Sequence, residues 1–349
     1  MKAKDRLALE HPMYHVRRPL ADTHAIERVG TAITSAIEQN SHGMKLVGNT
    51  QRGKTHACVH LDDTLDWRPY PMAFCHIRMG LHDRATENYL YTKLLACAHL
   101  KTSQLSDPNT NLSRVVTHLV SLAEEESAEV IIMPIDEAQR LHGKDFEHLH
   151  TLDNEIEAAG KRLFVVLITQ IDYVGKEPES ILSDISRHAA ARFLQHEATF
   201  IPVYGYKELR RYLKQYDKAL IWPVGSGITY TQYFAPLAFA GGWRFYRQAK
   251  QIWRLATELL AQHGLNHEVW AWPMKTLETF VAYMLTRVAG DKKEAFRRFT
   301  RDEILEGLAY CGFVHFEQTC PSTLDPRLYV TTDPEDEEEE EEEPEELGA

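Results

Sequence analysis

Hydrophobic and polar positions follow two different rhythms along the chain. Between residues 44 and 203, short and mostly apolar runs recur at Met44–Val47, Met72–Ile77, Val130–Ile135, Phe164–Thr169 and Thr199–Val203. Amphipathic stretches such as Glu87–Leu100 and Leu112–Ala123 separate them. A strand without a polar face must be covered on both sides, and strands that alternate with helices are joined by crossovers. This half therefore predicts a parallel α/β sheet with helices on both faces.

After about residue 230 the strand pattern stops. Over 273–289, Met274, Leu277, Phe280, Val281, Met284, Leu285 and Val288 fall on one helical stripe, with Pro273 in the first turn and Gly290 at the end. Thr300 is a candidate N-cap, Asp302 and Glu303 follow in the first turn, and Gly312 lies past the end. The expected organisation is a lead-in and helix over 1–40, an α/β domain over 41–206, a helical domain over 207–325 and a disordered acidic tail over 326–349.

The first apolar run enters a loop that carries chemistry. Gly48, Asn49, Thr50, Gln51, Arg52, Gly53, Lys54 and Thr55 fit G-x-x-x-x-G-K-T, with a strand before and a helix-compatible run after. Gly53 lets successive N–H groups converge on a phosphate, and the next helix adds its positive end. Lys54 reaches the outer phosphates of ATP, and the Thr55 hydroxyl is a ligand for Mg²⁺.

The run 130-VIIMPIDEAQRLH-142 supplies the second half of such a site. Asp136 at its tip is placed to hold Mg²⁺ through water. Glu137 is placed to act as the general base that activates the attacking water. The next run ends in Thr169-Gln170, and Gln170 is preferred over Thr169 as the group that orients the water. Arg187 and Arg192, just before the last apolar run, are candidates to enter a neighbouring subunit's site as an arginine finger. In the helical half, Arg244 is the candidate reporter of the γ-phosphate, with Arg247 as competitor.

Composition changes one part of this picture. The net charge is −12, but residues 333–346 hold 12 acidic residues and no basic one, so the remaining 39 acids balance 39 bases. The body is neutral and the excess charge belongs to a tail that cannot bury apolar surface. That tail either solubilises the chain or mimics nucleic acid. The five cysteines are scattered without a C-x-x-C pair, the N-terminal residues have no secretory apolar core, and no membrane-length apolar run occurs. These features point to a cytoplasmic protein with idle thiols. The histidines of 142-HGKDFEHLH-150 lack metal-site spacing and are expected to face solvent. Cys311 and Cys320 would flank a terminal hairpin, and 268-EVWAWPM-274 is expected to be core or interdomain packing.

Taken together, the P-loop, the acidic box, the polar strand tip, the paired arginines and the helical lid resemble an AAA+ ATPase. The wording IDEAQRL and the lead-in 11-HPMYHVRRPLADTHAIERVGTAI-33 are similar to the TnsC/TniB branch, the ATPases that regulate DNA transposition. The tail is not a general feature of that family, and Pro134 stands unusually close to Asp136, which suggests a bulge or edge. The resemblance implies a homo-oligomer, ring or filament, that forms on duplex DNA with ATP and links a target selector to the transposase. Hydrolysis would then disassemble it. It further implies DNA contact through Arg84, Lys93 and Lys101, with Arg78 and Arg114 as further candidates, each touching phosphate without reading sequence. A replication initiator or loader, and a STAND-type signalling ATPase, are the competing readings. A small-molecule kinase fits less well, because it needs no glutamate base.

Overall fold

The computed structural model describes residues 10–15, 21, 23–49, 52–81, 86–102, 107–170, 185–265 and 270–320. Six strands form one sheet: β1 (Gly43–Gly48), β2 (Met72–Phe74), β3 (Ile77–Arg78), β4 (Val130–Asp136), β5 (Arg162–Gln170) and β6 (His196–Thr199). Their order is β2-β4-β5-β1-β6, with β3 beside β4, and every pairing is parallel. The predicted parallel α/β sheet is what the chain adopts. β4, β5 and β1 hold its centre, which is why their residues read as apolar on both faces.

Two strands differ from expectation. The single run Met72–Ile77 is two short strands, broken at Cys75-His76. This break accounts for Pro134. The Ile132 carbonyl accepts from Cys75 N–H and the Asp136 carbonyl from Met79 N–H, so Pro134, of the same parity, turns its nitrogen toward the gap between β2 and β3. The missing N–H costs no ladder bond there. The last strand lies at His196–Thr199, not Thr199–Val203. It is an edge strand paired only with β1 and partly exposed, so a mixed sequence suits it. Phe200, Ile201 and Val203 are buried beyond its end, where Pro202 has no N–H to give.

Helices pack on both faces. On one, α1 (His24–Glu38), capped by Thr23, and α2 (Lys54–Asp63) share a core with Met44, Leu46, Ile132, Phe164 and Ile168. On the other lie α3 (Glu87–Cys97), α4 (Pro108–Glu125), α5 (Gly143–Ala158) and α6 (Arg187–Phe193). α4 starts with Asp107 as cap and Pro108 as its first residue.

The helical half has its own aromatic core, built from α7 (Gly205–Lys218), α8 (Tyr230–Phe234), α9 (Pro236–Ala240), α10 (Ala249–Gln262) and α11 (Met274–Tyr283). α11 continues through a π-helical stretch (Met284–Ala289) into α12 (Gly290–Lys292), so Gly290 does not end the helix. A Cβ there would meet the Leu285 carbonyl at 3.1 Å and Phe234 at 3.2 Å, so this glycine serves close packing against α8. Thr300 and Glu303 form the capping box of α13 (Arg301–Tyr310). Gly312, at φ +67°, turns the chain into α14 (Phe313–Thr319), a helix where a hairpin was expected between the two cysteines.

The lead-in divides between the two halves. His11, fully buried, packs on Tyr230 (4.5 Å), Phe234 (4.6 Å) and Tyr233 (4.7 Å) of the helical core, while α1 lies on the sheet. Burial, helped by His15, lowers the His11 pKa to about 4, so it sits there neutral. Between the halves, Arg28 pairs with Glu208 at 3.5 Å and Arg211 with Glu27 at 2.6 Å. No helix of the described residues is long and apolar enough to cross a membrane.

Candidate active site at the strand tips

Three central strands deliver the site. β1 ends at Gly48, whose ladder partner is Gln170 at the tip of β5, and β4 ends at Asp136 on the other side of β5. Ligands bind beyond the C-terminal ends of strands in open parallel sheets, and the predicted residues collect there.

The loop after β1 closes on Gly53, which takes φ +113°, a conformation open to glycine, and caps α2. Lys54 opens that helix and is only 6% exposed. Its Nζ donates to the carbonyls of Gly48 at 2.5 Å and Asn49 at 2.8 Å. Burial lowers the Lys54 pKa to about 8, while Asp136 and Glu137 nearby oppose the shift. Phosphate oxygens would replace those two carbonyls as acceptors. Thr55 is exposed at the second helical position. Thr50 and Gln51 lie outside the described residues.

Glu137 is held on both oxygens. It takes a left-handed conformation (φ 59°, ψ 37°) directly after the strand, and its N–H donates to Asp136 Oδ1 at 3.0 Å. Gln170 Nε2 donates to Glu137 Oε1 at 2.9 Å. Gln139 Nε2 donates to Oε2 at 2.8 Å, and Arg140 lies 3.3 Å from the same oxygen. The Thr169 hydroxyl is buried without a hydrogen-bond partner, so Gln170 is the group at the strand tip that meets the base. Gln139 and Arg140 went unassigned at the sequence level although they follow Glu137 by two and three residues. Their signal was present in DEAQR itself.

Thr55 and Asp136 offer hard oxygen donors, the type Mg²⁺ takes, and the described residues hold no cluster of three His, Cys, Asp or Glu. A Mg²⁺ carried by phosphates needs no such cage, so this donor set fits it. Bound with ATP, Mg²⁺ supplies charge neutralisation across the phosphates. The chain's own residues do the rest. Lys54 stands where it would meet phosphate, Gln170 holds the Glu137 carboxylate, and that carboxylate is placed where it would accept the proton of an attacking water.

Other predicted residues land elsewhere. The Arg52 side chain does not face the phosphate position. It is 2% exposed and reaches into the helical half, to the carbonyls of Ala271 (3.1 Å) and Cys320 (2.8 Å) and to Glu317 (3.4 Å). Any contribution to nucleotide binding is therefore through its backbone. Arg192 bonds Asp153, His150 and Glu157 of α5, with Asp153 itself buried, so it is not presented as a finger. Arg187 is exposed at the first turn of α6 and makes no hydrogen bond or ion pair among the described residues. Arg244 binds the carbonyls of Phe239 (2.7 Å) and Trp243 (2.8 Å) and stacks 3.6 Å over the Phe239 ring, within its own turn. Arg247 is likewise turned to Gly242. The helical residue that does press on the P-loop is Met274, whose Cγ lies 3.0 Å from where a Gly53 Cβ would stand.

Among the DNA candidates, Arg84 lies outside the described residues. Lys93 is half-buried on α3, Lys101 is exposed after it, and Arg114 of α4 donates to the Lys101 carbonyl at 2.6 Å. Arg78 stands across the ladder from Asp136. His148 and His150 are half-buried and engaged, with Tyr91 and Arg192, where solvent-facing rings were expected. Trp270 and Trp272 are buried in the helical core as anticipated. Burial raises the thiols of Cys58, Cys75 and Cys311 to about 12, so they are unreactive.

Residues 37–174 match a family model described as an AAA domain. Curated proteins searched by sequence return no match. Among solved structures, the chain is similar to Drosophila ORC bound to DNA, at 14% identity and a TM-score of 0.37, covering 88% of this chain and 65% of that one. It is also similar to the Aeropyrum pernix ORC2 protein in its ADP form, at 13% identity and a TM-score of 0.41, over 87% of this chain and 72% of that one. A Thermotoga maritima RuvB variant matches at 12% identity and a TM-score of 0.39, over 83% and 69%. This chain thus spans about two thirds of the Drosophila chain. Residues 37–174 thus match an AAA domain, and the residues they bring to the strand tips are those of a P-loop ATPase that uses ATP with Mg²⁺.

Proposed function

We propose that this ATPase is a DNA-binding regulator of DNA transposition of the TnsC/TniB type, assembling on duplex DNA with ATP and linking a target selector to the transposase. The observation that carries the oligomeric part is Arg187. The cis site holds its lysine, its metal-binding groups and a fixed glutamate base, while an unengaged guanidinium stands on the outer surface of α6. Transition-state charge in such sites is met by an arginine from outside, and Arg187 is available to give it to a neighbour.

Contact with DNA is assigned to Lys93, Lys101 and Arg114, the last two side by side. Each adds little in a neutral body, but an oligomer repeats them, and avidity multiplies weak contacts. The transposition reading rests on IDEAQRL and the lead-in, whose His11 is seated in the helical core. A replication-initiator role shares every site residue and differs in partner.

Electron microscopy of the purified chain on duplex DNA, with and without a non-hydrolysable ATP analogue and Mg²⁺, tests this. Rings or filaments only with nucleotide are expected. A monomer indifferent to DNA would overturn it.

A further inference from the structure

Arg52 is the P-loop residue that hydrolysis leaves without a task, and it is the most deeply committed of them. Its guanidinium and the Glu317 carboxylate are 2% and 0% exposed. It also binds the carbonyls of Ala271 and Cys320 and lies 5.5 Å from the Phe316 ring. So the segment before α11, the body of α14 and the residue that ends α14 all converge on one side chain of the phosphate loop. A buried ion pair adds little net stability, but each partner resists separation, because a lone buried charge is costly. The pair therefore transmits displacement better than it stabilises.

The loop has reason to move. Lys54 Nζ occupies the Gly48 and Asn49 carbonyls, and it must release them to take phosphate. Arg52 stands two residues before Lys54, at the same turn into the helix. Gly53, the next residue, touches Met274 of α11, so the helical half rests on the loop at two successive positions.

We propose that Arg52 and Glu317 couple the nucleotide state of the P-loop to the placement of α14, the last described helix before the acidic stretch that begins at Asp333. Arg52 is in this sense a positioning residue. The proposal rests on ATP occupying the P-loop and goes beyond it. A plain strap would hold α14 equally with or without nucleotide.

Hydrogen exchange of the full chain, with and without a non-hydrolysable ATP analogue and Mg²⁺, separates the two. In wild type the analogue should protect residues 43–61 and change exchange of the α14 amides, Phe313–Thr319, at least fivefold. Glu317→Gln should still bind the analogue, with affinity altered about tenfold, and α14 should no longer respond. Arg52→Lys, which keeps the charge without the planar fork, should retain part of the response, and Arg52→Met none. Protected 43–61 with an unchanged α14 in wild type would overturn the coupling alone. Unprotected 43–61 would overturn the nucleotide site and the coupling with it. If Glu317→Gln fails to fold, the wild-type and Arg52→Lys responses decide the question.

Discussion

Gln170 Nε2 lies 2.9 Å from Glu137 Oε1, joining the tips of β5 and β4 directly beside the start of the phosphate loop. The Glu137 carboxylate, the proposed base, is thus fixed by a neighbouring strand as well as by its own turn. Glu137→Gln should bind ATP normally and lose turnover by roughly 10²–10⁴-fold, the usual range for a general base. Gln170→Ala should lower kcat by about tenfold with KM little changed, since it acts on the base and not on ATP affinity. Steady-state kinetics at saturating Mg²⁺ checks both. A Gln170→Ala enzyme with unchanged kcat and raised KM would contradict this role.

Lys54 gives the site a pH dependence. Its pKa is lowered to about 8 by burial, so the folded ammonium deprotonates as pH rises through 8, whereas the unfolded chain keeps its proton until near 10.5. Between those values the folded state binds fewer protons, and this group's contribution to stability grows with pH. ATP affinity should move the other way, because a neutral amine does not hold phosphate. It should be roughly tenfold weaker at pH 9 than at pH 7, following the protonated fraction. Titration calorimetry measures it, and Lys54→Arg, always charged, should show a flat profile.

Arg187 and Arg192 should separate cleanly. Arg192→Ala strands the buried Asp153, with the His42 ring at 2.9 Å as its remaining neighbour, and should destabilise the fold by about 3 kcal/mol. Arg187→Ala should leave the melting temperature unchanged and cut turnover by roughly 10³-fold, as loss of an arginine finger does. Thermal melts beside ATPase rates distinguish them. An Arg187→Ala enzyme of full activity would remove it from the mechanism.

Gly53→Ala introduces a Cβ at φ +113° and 3.0 Å from Met274 Cγ. The backbone strain alone costs about 1–3 kcal/mol, and ATP binding should be lost with it. Adding Met274→Ala clears the space without relieving φ, so the double variant should regain only part of the stability.

Much of this was legible in the sequence where local chemistry sets local structure. Gly48–Thr55, Asp136–Glu137 and Gln170 sit at strand ends, so three apolar runs sufficed to bring them together. What escaped were relations across long separations. Nothing near Arg52 announces Glu317, 265 residues away, because a buried pair leaves no periodic trace. Arg192 and Arg187 read alike in sequence, and only the packing of α6 on α5 turns one inward. Arg244 is the reverse case, its partners being carbonyls of its own turn, which a sequence does not distinguish from open space. The β6 boundary slipped because an apolar run marks burial, and at a sheet edge burial and pairing part company.

The most direct test of the shared site is complementation between two inactive variants. Glu137→Gln keeps its finger and lacks its base, and Arg187→Ala keeps its base and lacks its finger. Mixed on duplex DNA with Mg²⁺ and ATP, the two should recover a clear fraction of wild-type hydrolysis, with a rate that rises faster than linearly with protein concentration. A mixture no more active than its parts, with hydrolysis by wild type strictly proportional to concentration, would contradict a site completed by a neighbour.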